Sequence, residues 1–201
     1  MESGNLKMGI VGHGFVGKAT DFGFNKNITK LIIDPKYNNS IRDLVVFKPE
    51  IIFVCVPTPM LSNGFQDSSI VTEVISEITD LIPETLIVIK STITPNVIEK
   101  LKNLSSNIVY NPEFLREKHA NYDFENTKIL ILGGEKEDCK KVASIYKNHS
   151  ICKSNKFHFV DVVTASLVKY SINTFLATKV VYFNELFNLY SKLKIDFSII
   201  S

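Results

Sequence analysis

Six residues constrain this 201-residue chain more than any others. They are Gly12-His13-Gly14-Phe15-Val16-Gly17, three glycines spaced as GxGxxG, directly after the apolar run Met8 to Val11 and opening a helical pattern. In that context each glycine has a separate task. The first allows a tight turn, the second lets backbone approach a pyrophosphate, and the third lets the helix pack closely on the strand with its N-terminus toward the phosphates. The next apolar run, Leu31 to Ile33, ends in Asp34, 17 residues after Gly17, where a carboxylate can accept hydrogen bonds from an adenosine ribose. Strand, loop, helix and acid in register predict dinucleotide binding, with Gly12, Gly14, Phe15, Val16, Gly17 and Asp34 as cofactor residues. Asp34 would repel a 2′-phosphate and so favours NAD over NADP, although Lys36 leaves some room. The competing readings are a glycine-rich turn that binds nothing and an ordinary strand-end turn at Asp34-Pro35.

The rest of the chain repeats the alternation that this loop begins. Short, near-continuous apolar runs at Ile51 to Val56, Leu86 to Ile89, Ile108 to Tyr110, Ile129 to Leu132 and Phe157 to Val160 read as strands buried on both faces of a parallel sheet. Between them, Ser69 to Leu81, the segment opening at Pro95, and Lys136 to Tyr146 carry helical spacing. The expected fold class is α/β, a Rossmann-like doubly wound parallel sheet over residues 1–160 whose ligands bind at the carboxyl ends of the strands. Residues 161–201 read differently. From Val162 to Leu193 there is no Gly or Pro and the apolar residues fall on more than one face, which predicts one long helix that must pack against another domain or subunit. The expected partner is a second copy, giving a homodimer through this helix. The apolar ending Phe197 to Ser201 suggests that something follows.

Composition removes other classes. A net charge of +2 without any run of five like charges gives no nucleic-acid footprint and no polybasic membrane anchor. The apolar runs are far shorter than the ~20 residues of a bilayer span, and the N-terminus MESGNLK has no signal-like stretch, so no membrane partner is expected. Cys55, Cys139 and Cys152 are odd in number and form no close-spaced metal cluster, which fits reduced thiols in a cytoplasmic setting and no metal.

Candidate chemistry clusters at the predicted strand exits. Val56-Pro57-Thr58-Pro59 forms a rigid exit after Cys55, a cysteine with no cation nearby in sequence to activate it and so a small buried residue. Ser91 and Thr92 offer hydroxyls and backbone N–H groups at the next exit. Glu113 and Glu117, within Asn111-Pro-Glu-Phe-Leu-Arg-Glu117, would share one face if their segment were helical, and could then divide acid and base work. A surface charge pattern is the plainer alternative. Lys169 and Asn173 lie four apart on the long helix and could donate to a developing oxyanion; the alternative is a snorkelling lysine and a capping amide.

Taken in order, the glycine loop, Cys55-Val-Pro-Thr-Pro59, Asp67-Ser-Ser-Ile-Val71, Lys90-Ser-Thr92, Asn111 to Glu117 and Lys169 to Lys179 resemble the UDP-glucose/GDP-mannose (nucleotide-sugar) dehydrogenase family. The resemblance implies oxidation of a sugar C6 alcohol to a carboxylate in two steps with two NAD and one water, on a nucleotide sugar such as UDP-glucose. It assigns Thr92, Glu113, Glu117, Lys169 and Asn173 to catalysis. Glu113, Phe114, Leu115, Arg116, Glu117, Lys169 and Asn173 would meet the substrate, and Val56 to Pro59, Ser91 and Thr92 would line the cofactor. The sequence departs from the family at Asn96, Lys118 and Ser166, and it has no match for the family's nucleophilic cysteine segment, expected beyond Ser201 with the second nucleotide-gripping domain. The isolated chain is therefore expected to be catalytically incomplete. Two other readings stand beside this one: a non-catalytic NAD-binding or subunit-pairing module, and a one-step β-hydroxyacid dehydrogenase relative.

Overall fold

The computed structural model describes residues 5–200, so the N-terminal reading at Met1 to Gly4 and the ending at Ser201 lie outside the described residues. Seven strands form one sheet: β1 (Leu6–Val11), β2 (Ile28–Ile33), β3 (Ile51–Val54), β4 (Leu86–Ile89), β5 (Ile108–Tyr110), β6 (Leu130–Gly133) and β7 (Phe157–Val160), in the order β2-β1-β3-β4-β5-β6-β7. Every residue of β3, β4, β5 and β6 is buried, as continuous apolar runs require when both faces are covered. The edge strands β2 and β7, covered less fully, are mostly half-buried.

Helices cover both faces. α1 (Phe15–Gly23), α5 (Ala120–Glu125) and α6 (Lys136–His149) meet one core around Phe24, Phe53 and Tyr146. On the other face, α2 (Arg42–Phe47), α3 (Ser69–Leu81), α4 (Pro95–Lys102) and the start of α7 (Val162–Leu193) close over Ile52, Val54, Ile87 and Ile89. The sheet is Rossmann-like and doubly wound, as the alternation predicts. The strand order reverses between β1 and β3, and that switch point opens a crevice at the carboxyl ends.

One junction departs from the all-parallel expectation. β5 and β6 pair antiparallel, through Tyr110 and Gly133 alone, and β7 then runs parallel to β6. The reason lies in the connection. Its only α-helix, α5, is a six-residue segment that packs on α1, where Gly23 lies so close that a Cβ there would sit 2.0 Å from the Phe124 ring. It does not carry the chain back along the sheet, so β6 starts at the end where β5 stops.

α7 has the expected bounds. Asp161 caps it, accepting from the Thr164 N–H at 2.8 Å. Only Val162, Ala165, Ser166 and Lys169 are buried, and beyond them Phe175, Val180, Val181, Phe187 and Leu193 are all more than half exposed. No helix among the described residues is long and apolar enough to cross a membrane.

Candidate functional site: the crevice at the carboxyl ends of β1, β3 and β4

The crevice is a cleft of about 390 Å³ lined by Gly12, His13, Gly14, Phe15, Val16, Asp34, Lys36, Cys55, Val56, Pro57, Thr58, Lys90, Ser91, Thr92 and Glu113. Its floor is the glycine loop. Gly12 has φ +88°, and a Cβ there would lie 2.7 Å from the Cys55 carbonyl oxygen, so the turn admits only glycine. Gly17 does not line the cleft but packs beneath it, where a Cβ would lie 2.0 Å from the Gly12 carbonyl oxygen. Gly14 is the opposite case: a Cβ there would meet nothing within 4 Å. That open space, at the N-cap of α1, is what a pyrophosphate needs to approach backbone N–H groups. The loop therefore fits a dinucleotide, with the first turn of α1 offering donors that have no partner within the helix.

Asp34 stands at the exit of β2, largely buried. Its Oδ2 accepts from the His13 N–H at 2.7 Å and its Oδ1 from the Lys36 N–H at 3.1 Å. Burial alone would raise its pKa. The two backbone N–H bonds and the nearby Lys36 charge outweigh that and hold the carboxyl below its ordinary value. Each oxygen keeps lone-pair capacity beyond the bond it accepts, so an ionised acceptor stands ready beside the loop.

At the other end of the cleft the exits of β3 and β4 brace each other. Ser91 Oγ donates to the Val56 carbonyl at 2.7 Å, and Thr58 Oγ1 to the Thr92 carbonyl at 2.8 Å. Gln66, which sequence reasoning missed, completes the brace: its Nε2 donates to the Thr92 carbonyl at 2.7 Å and its Oε1 accepts from the Thr94 N–H at 3.1 Å. Nothing local in Phe65-Gln66-Asp67 signals this, because the partners lie 26 and 28 residues away. Pro59 is exposed and outside the lining.

Glu113 reaches the cleft from the exit of β5 and meets Lys169 of α7. The Lys169 ammonium donates to the Glu113 backbone carbonyl and to Oε1 at 3.1 Å, and the two side chains are 5% and 9% exposed. Lys169 is thus no snorkelling residue. Nearby, the buried Lys90 ammonium donates to Asn111 Oδ1 at 2.9 Å and to the Tyr146 hydroxyl at 3.2 Å, and burial pulls its pKa down. Lys90, Asn111 and Tyr146 form a polar cluster that ties the β4 and β5 exits to α6.

Other expected residues stand apart. Residues 111–116 form neither helix nor strand, and Glu117 begins a separate 3₁₀ turn, so Glu113 and Glu117 share no helix face. Glu117 lies exposed in a surface recess beside Phe15 and Lys18. Arg116 is exposed and pairs with Asp123, its Nη2 at 2.7 Å from Oδ1. Phe114 and Leu115 pack in a small recess behind Glu113. Asn173 is exposed on α7, one turn beyond the last buried position, Lys169. Cys55 is buried as expected, and burial pushes its thiol up to about 11.

Fold and cleft together define a dinucleotide-binding domain of the doubly wound class. Comparison with known proteins narrows the class: residues 36–150 match the UDP-glucose/GDP-mannose dehydrogenase family, NAD binding domain. The chain belongs to that family, and its cofactor is NAD. It is 35% identical over 164 residues to a UDP-glucose 6-dehydrogenase of Rickettsia felis, covering 78% of this chain and 36% of the relative. An uncharacterized protein of Methanocaldococcus jannaschii is 37% identical over 178 residues, covering 82% of this chain and 20% of that protein. This chain thus spans between a fifth and about a third of the relatives' lengths. Among solved structures, a UDP-glucose dehydrogenase from Pyrobaculum islandicum superposes with a TM-score of 0.81 at 22% identity, over 98% of this chain and 56% of that one. A GDP-mannose dehydrogenase ternary complex from Pseudomonas aeruginosa gives 0.78 at 21% identity, over 94% and 54%. These likenesses carry the fold.

Proposed function

We propose that the chain is the cofactor half of a nucleotide-sugar 6-dehydrogenase acting on UDP-glucose, and that alone it binds NAD without completing the oxidation to UDP-glucuronate. The observation that carries this reading is the meeting of the glycine loop, Thr92 and Glu113 around one cleft, with Lys169 paired to Glu113 behind it. In this reading residues 1–160 are the NAD-binding domain and residues 161–201 begin the region that joins it to the rest of the enzyme. When bound, NAD supplies the acceptor for hydride leaving the sugar C6. The chain's own residues do the remainder of the first step. Lys169 neutralises charge building on the C6 oxygen, and Glu113, released from Lys169 when substrate enters, takes up a proton or orients water. Glu117, Arg116 and Asn173 belong to the substrate side, on surfaces that a second domain or subunit would complete.

In the same reading the chain alone stops short of a full reaction. In the mechanism that the family resemblance implies, the second oxidation passes through a covalent intermediate on an activated thiol. Burial pushes Cys55 and Cys139 up to about 11 and raises Cys152 as well, so none of the three is a ready thiolate. A second subunit across the exposed apolar length of α7 and a cytoplasmic setting complete the proposal, the latter in keeping with three free cysteines.

The test is direct. Calorimetry with NAD should give saturable binding tighter than NADP, and incubation with NAD and UDP-glucose should give no uronate by mass spectrometry. Sedimentation at micromolar concentration should show self-association. Robust uronate formation by the pure chain would overturn the incompleteness, and tighter NADP binding would overturn the role given to Asp34.

A further inference from the structure

We infer that Lys90 sets the preference of the cleft between the two oxidation states of the cofactor, favouring the reduced form. The oxidised nicotinamide ring carries a positive charge and the reduced ring is neutral, so a fixed cation near it repels only the former. The inference rests on the NAD reading of the cleft. Lys90 lines that cleft, is only 3% exposed, and has no part in the chemistry given above to Lys169 and Glu113.

The hydrogen bonds around Lys90 suit an ammonium. Its Nζ donates to Asn111 Oδ1 at 2.9 Å and to the Tyr146 hydroxyl at 3.2 Å, and the proton of that hydroxyl goes to Asn111 Oδ1 at 2.7 Å. Asn111 Nδ2 donates to the Ile131 carbonyl at 2.9 Å, which keeps Oδ1 turned toward Lys90 and Tyr146. Both partners thus offer Nζ a lone pair and neither offers a proton, so the lone pair of a neutral amine would find no donor. Burial pulls the Lys90 pKa down, and the nearby Cys55 and Glu113 push the other way. The charge has no counter-ion of its own. Among the described residues no carboxylate stands within ion-pair distance of Nζ, and Glu113, whose charge Lys90 feels, is paired with Lys169. Glu113 and Lys169 cancel, which leaves this end of the cleft with one positive charge in excess.

That end is where the nicotinamide falls. Asp34 at the β2 exit takes the adenosine ribose and the open approach at Gly14 takes the pyrophosphate, so the dinucleotide continues along the cleft toward Val56, Thr58 and the β4 exit. In the order β2-β1-β3-β4 the two outer exits are three strand spacings apart, about 14 Å, a length that an extended dinucleotide covers. Lys90 is within electrostatic reach of Cys55 and Glu113, which line the cleft on its β3 and β5 sides. Its charge therefore sits in the floor of that end. Asn111, Tyr146 and Cys55 around it are buried, so little water screens it.

Calorimetric titration of the 201-residue chain with NAD and with NADH, in one buffer at one salt concentration, reads the ratio of the two affinities. The expected result is NADH bound about three- to tenfold tighter, as one partly screened repulsion implies. Lys90→Met should bring the ratio toward one, mainly by tightening NAD, a gain that loss of a purely structural residue would not give. Lys90→Gln, which keeps a donor for Asn111, should do the same and covers a packing failure of the first variant. Lys36→Gln, at the adenosine end, should change both affinities alike. NAD bound as tightly as NADH by the unaltered chain, a ratio that both Lys90 variants leave unchanged, or equal weakening of the two forms would overturn the inference and leave the cofactor assignment standing. No binding of either form would instead overturn the cofactor reading on which the inference rests.

Discussion

The two ends of the cleft are built by different means. At the loop end, Gly12, Gly14, Gly17 and Asp34 lie within 23 residues of sequence, and their work is done mainly by backbone: a positive φ, an open approach and N–H donors. At the other end Thr58, Gln66, Thr92, Glu113 and Lys169 come from four separate segments, and the bonds that hold them, Thr58 and Gln66 to the Thr92 carbonyl and Lys169 to Glu113, are made by side chains across separations of 26 to 56 residues. A backbone site survives most side-chain changes but fails at a single misplaced Cβ. A side-chain site built from remote segments depends on every packing contact that holds those segments in place.

The sharpest way to break the loop end is Gly17→Ala. Its Cβ would lie 2.0 Å from a backbone oxygen that no rotamer change can move, so the expected cost is more than about 3 kcal/mol of stability, read by urea unfolding. An unchanged unfolding midpoint would show that the loop is looser than described.

Lys169→Met addresses the opposite end. It strands Glu113 in a buried site and should cost about 3 kcal/mol, with most of that recovered in the double variant Lys169→Met/Glu113→Gln. NAD affinity should change little, because neither residue belongs to the glycine loop; a large loss in calorimetry would mean that the two ends are coupled.

Gly14→Ala separates binding from folding. The added methyl has open space and φ is −70°, so the melting temperature should hold, while NAD affinity should fall about tenfold or more as the methyl occupies the phosphate approach. Equal NAD affinity would place the pyrophosphate elsewhere.

Asp34→Ala should weaken NAD by about 1 to 3 kcal/mol and narrow the preference over NADP. The pH dependence of stability at this site has a definite sign. Because the folded-state pKa of Asp34 is depressed, its contribution is present above the ordinary carboxylate value and is lost as pH falls through the folded value. Asp34→Asn should therefore flatten the acid limb of the stability profile.

Much of the fold was legible because its signals are local. All seven strands fall where the apolar runs place them, and α3 and α7 have the expected bounds at Ser69–Leu81 and Val162–Leu193. Each is set by a run of side chains whose periodicity is visible without knowing what they touch. Two departures arose where the deciding contact is distant. The antiparallel turn at β6 depends on α5 docking against α1 through Gly23 and Phe124. The separation of Glu113 from Glu117 goes with the bonds that hold Glu113 to Lys169 and Asn111 to Lys90 and Tyr146, which keep residues 111–116 out of a helix.

By itself the amino-acid sequence determined the alternation of strand and helix, the glycine loop with its acid at Asp34, and the family resemblance, because these rest on spacing and on the steric limits of single residues. Only the tertiary structure decided that Lys169 pairs with Glu113 and not with a neighbour on its own helix, that Gln66 braces the β4 exit, and that His13 is clamped between Tyr37 and Asp21. The physical reason is that a buried charge or amide takes whichever partner the packing of the sheet brings within about 3 Å, and sequence distance has no influence on that choice.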